Sequence, residues 1–227
     1  MSNDHVVAAV VVANGTLPDP ELCAALLHDA DFVVAADGGA RALLERGLPL
    51  TVVVGDMDSL PADLLDRWQA AGGETRRYPA EKDETDLERA LDEARRRGAR
   101  RIAVLGAVGG RVDHMTANLL LLAHPSLDGV AAAVLDDGLR VVAVTAVTRR
   151  VALAGQPGDL LSLLPITARV DGVVTEGLSY PLAGDTLALG SPRGVSNVFT
   201  ARQATVHVRE GALLVMHTWA GRRPLEW

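Results

Sequence analysis

Two carboxylates stand one residue apart, directly after an apolar run, in the segment TVVVGDMDSLP at residues 51–61. Like charges a few ångströms apart repel, so such a pair either lies in water or shares a cation. If the segment is extended, Asp56 and Asp58 point the same way, and such a pair can bind Mg²⁺ together with phosphate oxygens and water. The alternative is that the segment only starts the next helix, with Pro61 in its first turn. The magnesium interpretation is favoured most for Asp56, which has no helix to cap.

A second acidic cluster, EKDETDLE at residues 81–88, stands at a predicted helix start. Asp83 and Asp86 are three residues apart, and for Asp83 such spacing is also typical of a helix cap. Lys82 lies just before the helix, where a cation opposes the helix dipole. An anionic ligand would resolve this conflict, so we expect Lys82, Thr85 and the free N–H groups to face phosphate.

Arg111 lies between a glycine pair and Asp113 at a third helix start. An exposed surface arginine is the alternative, but the tight turn aims the guanidinium toward the sheet edge, where it could pair with charge developing on phosphate. Asn118 lies one turn into this helix, on the same side as His114, and is a secondary candidate ligand. His114 itself receives no role.

The elements that must position these residues alternate up to about Leu135, where short β-branched runs are separated by helical patterns. This alternation predicts an α/β domain with a mostly parallel, doubly wound sheet. The predicted strands are Val6–Ala13, Phe32–Ala36, Thr51–Val54, Arg101–Leu105 and Val130–Leu135. Ligands bind beyond the carboxyl ends of such strands. The glycine-rich loops there, including Asn14–Gly15 and Asp37–Gly38–Gly39, are therefore expected to share one site.

The pattern changes after Asp136, where short strand-like runs are separated by Gly, Pro and Asp turns without a convincing helix. This predicts a second, all-β domain. We expect the first domain to span residues 1–136 and the second to span residues 137–227. The best-defined helix in the first domain is predicted at Glu84–Arg97, with Gly98 closing it.

The composition of the chain limits the classes of partner and of fold that the protein can have. The chain has 227 residues and is 48% hydrophobic, enough for a well-buried core. Its formal net charge of −7 offers no electrostatic footprint for nucleic acid or an anionic membrane, so small-molecule partners are expected. The single cysteine, Cys23, excludes an internal disulfide framework. The apolar start VVAAVVVA is too short for a membrane span, and a cytoplasmic protein is expected.

Several familiar nucleotide and hydrolase motifs are missing from the sequence, among them GxxxxGK[ST], GxGxxG after the first strand, HExxH and GxSxG. The remaining pattern indicates a magnesium-dependent protein that handles phosphates. Two other functions stay open. A phosphohydrolase with an aspartyl nucleophile would also carry a DxD after a strand. A sensor that binds a nucleotide or another small molecule without turnover would belong to a different class.

Taken in order, seven segments resemble the thiamine pyrophosphokinase family. They are ADGGA (36–40), GDMDS (55–59), KDETDLERA (82–90), GGRVDHMTAN (109–118), SLLP (162–165), GLSYPL (177–182) and GVSN (194–197). The resemblance implies an amino-terminal α/β domain, a carboxy-terminal β-sandwich and a homodimer. Its active sites would lie between the first domain of one subunit and the second domain of the other. The implied reaction converts ATP and thiamine to thiamine diphosphate and AMP by direct attack of the thiamine hydroxyl on the β-phosphorus.

The resemblance also implies residue roles. Magnesium would be held by Asp56, Asp58 and Asp86, with Asp83 as a helper. The triphosphate would bind Lys82, Thr85 and Arg111, and Asp37 and Asp113 would shape the site near thiamine. Ser196 and Asn197 would contact the aminopyrimidine. Gly38 and Asn118 are counted among the ligand-binding residues. Either Asp113 or Asp86 could accept the hydroxyl proton. From the residues alone, the GVSN segment would be an ordinary turn.

Few rings are available to stack on a cationic thiazolium, because aromatic residues make up 3% of the chain. The candidates in the second domain are Tyr180, Phe199 and Trp219, apart from Trp227. The sequence does not choose among them.

Overall fold

A computed structural model describes residues 5–79, 81 and 83–221. The chain separates into two compact units. The first runs to Asn118 and also includes Val130–Ala132, and the second contains Leu119–Gly129 and the chain from Ala133 onward. The division at residue 136 that the sequence suggests stays a prediction.

The first unit is built on a parallel sheet, as the alternating pattern predicts. In its described residues the strands are β1 (Ala8–Val12), β2 (Phe32–Ala36), β3 (Val52–Gly55), β4 (Glu74–Arg77) and β5 (Arg101–Leu105). They lie in the order β5-β1-β2-β3-β4, and every neighbouring pair is parallel. Strands β1 and β3 are buried along their whole length, which explains their continuous apolar sequence.

Helices connect these strands. They are α1 (Pro20–His28), α2 (Gly39–Glu45), α3 (Ala62–Ala70), α4 (Asp86–Arg96) and α5 (Val112–Leu121), with a 3₁₀ turn at Pro125–Leu127. Helix α4 buries the stripe that its sequence predicts, Leu87, Ala90, Leu91 and Ala94. It starts two residues later than expected, because the Thr85 hydroxyl accepts the Glu88 N–H and caps the helix. Asp83 is therefore not the capping residue, which corrects the capping alternative for this position.

Strand β4 was not predicted from the sequence. Its residues, ETRR, show no apolar alternation, yet they pair in parallel with β3 from Val52↔Glu74 to Gly55↔Arg77. The strand lies at one edge of the first unit's sheet. Charged side chains are common on such edges because they discourage pairing with further strands.

From Ala133 onward the second unit is all β, as predicted, and its antiparallel strands form a β-sandwich. Its strands are β6 (Ala131–Asp136), β7 (Leu139–Thr145), β8 (Arg150–Ala154), β9 (Leu160–Pro165), β10 (Arg169–Glu176), β11 (Ala183–Ala188), β12 (Asn197–Val198), β13 (Gln203–His207) and β14 (Ala212–Thr218), with a 3₁₀ turn at Pro192–Gly194. One sheet contains β12-β9-β14-β7-β6 and the other β11-β10-β13-β8. Alternate residues are buried along β9, the pattern of a strand with one core-facing side.

Strand β6 corresponds to the predicted strand Val130–Leu135, but it pairs antiparallel with β7. Asp136 pairs with Leu139 across a two-residue turn, Asp137–Gly138, in which Gly138 has a φ of 64°. An aspartate–glycine pair is a typical signal for such a hairpin turn. Among the described helices, none has the length and apolar character needed to cross a membrane.

Candidate active site

Three carboxylates meet at the carboxyl ends of β2 and β3. Asp37 follows β2, and Asp56 and Asp58 follow β3. One carboxylate oxygen from each lies within 4.8 Å of the others. Neighbouring parallel strands end at the same edge of a sheet, so the topology brings together acids that are far apart in sequence.

The backbone at this edge differs from the extended segment that the sequence suggested. Met57 is buried and has a φ of 72°, so the GDMDS segment turns sharply between its two acids. The turn is held by the Asp58 N–H, which donates to Asp56 Oδ1 at 3.1 Å. Asp37 also has a positive φ, 41°. Side chains other than glycine rarely adopt such conformations, and their clustering at one place is typical of functional sites.

Gly55 allows the acids to approach one another. A Cβ at this position would lie 2.8 Å from the Asp37 Cβ and 3.2 Å from Asp86 Oδ1. The Gly55 φ of 151° also disfavours other residues. Asp86, the first residue of α4, therefore lies against the same sheet edge as the three clustered acids.

The electrostatics of the cluster are unfavourable without a cation. Asp37 is only 5% exposed, and its Oδ1 has no hydrogen-bond partner among the described residues. Burial raises the pKa of Asp37, and the charges on Asp86 and Asp56 raise it further, while the Ser59 hydroxyl and Gly38 N–H act in the opposite direction. Within the described chain, Asp37, Asp56 and Asp58 form no salt bridge with lysine or arginine. The carboxylate oxygens are therefore available to a hard cation such as Mg²⁺.

The remaining predicted residues of the EKDETDLE segment are placed only in part. Asp83 is exposed, and the Thr85 hydroxyl serves as the α4 cap at 3.2 Å from the Glu88 nitrogen. Lys82 lies outside the described residues. Helix α4 nevertheless begins at Asp86, and the positive end of its dipole there suits an anionic ligand.

Arg111 and Asp113 pair with each other at the start of α5. Arg111 Nη2 lies 2.6 Å from Asp113 Oδ2, and Nε lies 3.2 Å from Oδ1. This two-point hydrogen bond, with the His114 N–H, lowers the pKa of Asp113 to about 2. While it is paired with Arg111, Asp113 is a weak base, poorly suited to accept a hydroxyl proton. Arg111 remains largely exposed and could exchange Asp113 for phosphate.

Asn118 connects α5 to the loop before it, because its Nδ2 donates to the Ala107 carbonyl at 3.0 Å. This contact fixes the loop that follows β5. A ligand role for Asn118 stays a prediction. The observed contact indicates that Asn118 supports the loop after β5.

Glycines join the loops at the point where the strand order reverses. Strand β1 has β2 on one side and β5 on the other, and such a switch point is the usual ligand crevice. There the Gly15 N–H donates to the Gly106 carbonyl at 2.9 Å, and a Cβ on Gly15 would lie 2.3 Å from that oxygen. A Cβ on Gly38 would lie 2.3 Å from Asn14 Oδ1. The sequence indicates a role for the Asn14–Gly15 loop, but Asn14 is not among the predicted site residues, and its amide lies against Gly38.

The predicted thiamine contacts lie in the second unit. Ser196 is exposed, has a φ of 61°, and donates its N–H to Ser162 Oγ at 3.1 Å. Asn197 is buried: its Oδ1 accepts the N–H groups of Tyr180 and Val198 at 3.0 and 2.9 Å, and its Nδ2 donates to the Tyr180 carbonyl at 2.7 Å. The Asn197 amide therefore holds the Tyr180 backbone in place.

The candidate rings in the second unit differ in their exposure. Phe199 is 1% exposed and lies in the core with its ring centroid 4.7 Å from that of His217. Trp219 also packs on His217, and the centroids of these two rings are 4.8 Å apart. Tyr180 is 70% exposed. Of these three rings, Tyr180 is the one most open to a ligand.

Comparison with known proteins places the chain in a family. The model of the thiamin pyrophosphokinase catalytic domain matches residues 23–133, and the model of the thiamin pyrophosphokinase vitamin B1 binding domain matches residues 149–213. Among curated relatives, thiamine pyrophosphokinase of Bacillus subtilis is 26% identical over 195 residues, covering 82% of this chain and 86% of the relative. Thiamine pyrophosphokinase 2 of Arabidopsis thaliana is 28% identical over 224 residues, covering 87% of this chain and 81% of the relative.

Solved structures agree with these matches. A thiamin pyrophosphokinase family protein from Enterococcus faecalis has a TM-score of 0.79 at 28% identity, covering 94% of this chain and 100% of that one. The Bacillus subtilis enzyme has a TM-score of 0.79 at 25% identity, covering 93% of this chain and 98% of that one. The segments that carry the acid cluster and the Ser196–Asn197 turn lie within the matched regions. The chain belongs to the thiamin pyrophosphokinase family.

Proposed function

We propose that this protein transfers a pyrophosphate group from ATP to the hydroxyl of thiamine, giving thiamine diphosphate and AMP. The observation that carries the proposal is the cluster of Asp37, Asp56 and Asp58 at the carboxyl ends of two parallel strands. It lies in a chain whose two halves match the catalytic and vitamin B1 binding models of one family. An acidic edge of this kind is suited to a cation that carries a polyphosphate.

The acid cluster fits magnesium. All its donors are carboxylate oxygens, the ligands that Mg²⁺ prefers, and the buried Asp37 Oδ1 lacks a described hydrogen-bond partner. We propose that Asp56, Asp58 and Asp86 hold the ion, with Asp83 as a helper, and that Asp37 belongs to the same set. Magnesium would supply compensation for negative charge on the phosphates. The ion would leave room for phosphate oxygens and water, because Mg²⁺ usually retains several non-protein ligands.

The chain's own residues would position ATP and neutralise its charge. Lys82, Thr85 and the N–H groups at the start of α4 would bind the triphosphate, and Arg111 would release Asp113 to meet phosphate. Gly38 lies in the turn after β2, where a side chain would displace Asn14. Asn118 would support this edge through Ala107. Phosphoryl-type transfer depends mainly on such positioning and charge compensation.

In the reaction, the thiamine hydroxyl oxygen would form a bond to the β-phosphorus of ATP. The bond from that phosphorus to the oxygen bridging the α-phosphate would break, and AMP would leave with the bonding electrons. The hydroxyl proton would pass to a carboxylate or to solvent. That carboxylate would be Asp86 or Asp113, the latter once Arg111 has released it.

Thiamine would be recognised by the second unit. We propose that Ser196 meets the aminopyrimidine and that Asn197 acts mainly by holding Tyr180, because most of its hydrogen-bonding capacity is used by backbone groups. The exposed Tyr180 ring would then be available to the cationic thiazolium.

We also propose a homodimer whose active sites combine the first domain of one subunit with the second domain of its partner. Helix α5 supports the assembly: none of its residues is buried within the described chain, although Val112, Met115 and three leucines make it strongly apolar. Val112 is 70% exposed and Leu120 is 45% exposed. Exposed apolar side chains on one helix, beside half-buried ones, are typical of an interaction surface.

Mass spectrometry of the products from ATP, Mg²⁺ and thiamine tests the function. We expect thiamine diphosphate and AMP in equal amounts, formed only when all three are present. Phosphate release without thiamine would instead support the phosphohydrolase. Binding of ATP or thiamine by calorimetry without any product would support the sensor.

A further inference from the structure

We propose that Arg89 is a positioning residue that fixes the start of α4 relative to the end of β4 by stacking on Tyr78 and pairing with Glu84. This inference rests on the proposed function and deepens it, because Asp86 is the first residue of α4. Together, Tyr78, Arg89 and Glu84 form a cluster that we call the clasp.

Tyr78 anchors the clasp to the sheet edge that carries the acids. It follows β4, and its N–H donates to the carbonyl of Gly55, the residue before Asp56, at 3.0 Å. Its hydroxyl accepts a hydrogen bond from Arg96 Nη2 at 3.0 Å. The ring is therefore held at its backbone and at its far end, so that it presents a fixed face.

Arg89 connects this face to the start of α4. Its guanidinium carbon lies 4.9 Å from the Tyr78 ring centroid, within the range of a cation–π contact. Its Nη2 lies 2.6 Å from Glu84 Oε1. A planar guanidinium can stack on a ring and bind a carboxylate at the same time, and a lysine ammonium cannot do both in this geometry.

Glu84 stands immediately before the α4 cap, Thr85, and two residues before Asp86. The Arg89 N–H also donates to the Thr85 carbonyl at 3.1 Å. The clasp thus joins Tyr78, the residue after β4, to Glu84 and to the first turns of α4. Holding the start of α4 against Tyr78 in this way restricts where Asp86 can lie relative to Asp37 and Asp56, and small displacements of binding groups are costly in catalysis.

The clasp differs from ordinary surface ion pairs in this chain. The Arg89 and Glu84 side chains are 27% and 35% exposed, whereas those of Arg67 and Asp63 on α3 are 72% and 76% exposed. Exposed pairs contribute little to structure. The Arg67–Asp63 pair therefore provides a matched control, in which an arginine–carboxylate contact is lost at a position without a role in the site.

The test compares Arg89→Ala and Arg89→Lys with Arg67→Ala. In both Arg89 variants, hydrogen exchange at the Glu88 amide, which Thr85 caps, is expected to accelerate about tenfold or more. The dissociation constant for Mn²⁺ without substrates, and for α,β-methylene ATP with Mn²⁺, is expected to rise about tenfold in step with the KM for ATP. The value of kcat should change less than KM. Arg67→Ala should leave all of these unchanged.

Unchanged Glu88 exchange in Arg89→Lys, or wild-type ligand affinity in a variant with faster exchange, would overturn the inference. Arg89→Lys retains the charge and keeps the test valid if the alanine variant does not fold. The exchange measurement does not depend on activity. If the wild-type protein makes no thiamine diphosphate while the Arg89 variants exchange faster, the proposed function fails and the clasp stands.

Discussion

Two buried carboxylates in the first unit, Glu93 and Asp37, have opposite surroundings. Glu93 is 3% exposed and forms ion pairs with Arg76, Arg96 and Arg97 at 3.8, 3.1 and 2.8 Å. Asp37 is 5% exposed and faces other acids, without a salt bridge among the described residues. The burial is similar, and only the compensation of charge differs. The difference separates a carboxylate that the fold uses for itself from one that is left available to a cation.

The arginines around Glu93 also belong to the fold. Arg97 pairs with Glu74 on β4 at 2.6 Å, and Arg76 of the same strand pairs with Glu74 at 2.5 Å. This network attaches α4 to the charged edge strand. No comparable network surrounds Asp37 in the described chain. If a bound ion compensates the charge of Asp37, binding of that ion stabilises the folded protein.

The comparison predicts the largest effect on stability at Glu93. Glu93→Ala should lower the free energy of unfolding by about 3 kcal/mol, because it leaves clustered arginines without their shared partner. Urea denaturation followed by circular dichroism measures the loss. Turnover per folded molecule should remain within a few-fold of the wild type. A large loss of turnover in fully folded protein would mean that Glu93 is not merely structural.

At the acid cluster, the expected effect is on turnover. Asp56→Asn should lower kcat by ~10²-fold or more, as expected for losing one preorganised electrostatic contact. Thermal unfolding should be unchanged or shifted slightly upward, since a repulsive charge is removed. Asp63→Asn, an exposed acid on α3, is the control and should retain full activity. Near-normal turnover of Asp56→Asn would remove Asp56 from the mechanism.

The smallest expected effect is a gain in stability at Asp37. Burial raises the pKa of Asp37, so its ionised form costs stability at neutral pH when no cation is bound. Asp37→Asn should therefore stabilise the metal-free protein by about 1 kcal/mol, on the scale of one unsatisfied buried polar group. Scanning calorimetry without Mg²⁺ should show this gain. With Mg²⁺ added, the ion should stabilise Asp37→Asn less than it stabilises the wild type. A destabilised metal-free variant would contradict the comparison.

The sequence predicts the first unit well where strands are apolar and poorly where they are not. β2 and β5 have the predicted bounds, and the α4 stripe is buried as expected. Strand β4 has no apolar signal, because its stability comes from pairing with β3 and from the arginine network. The sequence predicts β6 as a strand but does not show that it pairs antiparallel with β7, because the apolar pattern of a buried strand is the same in either direction.

The site is predictable in its residue types but not in its local geometry. The Asp56–Asp58 spacing and the loops after β2 and β3 indicate the cluster. The left-handed turn at Met57, which brings the acids together, leaves no sequence signal because methionine rarely adopts it. Similarly, the GVSN pattern does not reveal that the Asn197 amide is used by Tyr180, because that contact joins residues 17 apart.

The charged strand β4 also limits how this protein can associate at high concentration. Exposed Arg76 and Arg77 stand on the outermost strand of the first unit's sheet. A second molecule that tried to extend the sheet there would have to strip water from these guanidinium groups and disturb the Arg76–Glu74 ion pair. Growth into fibrils from this edge is therefore disfavoured, even though the neighbouring strands are rich in valine.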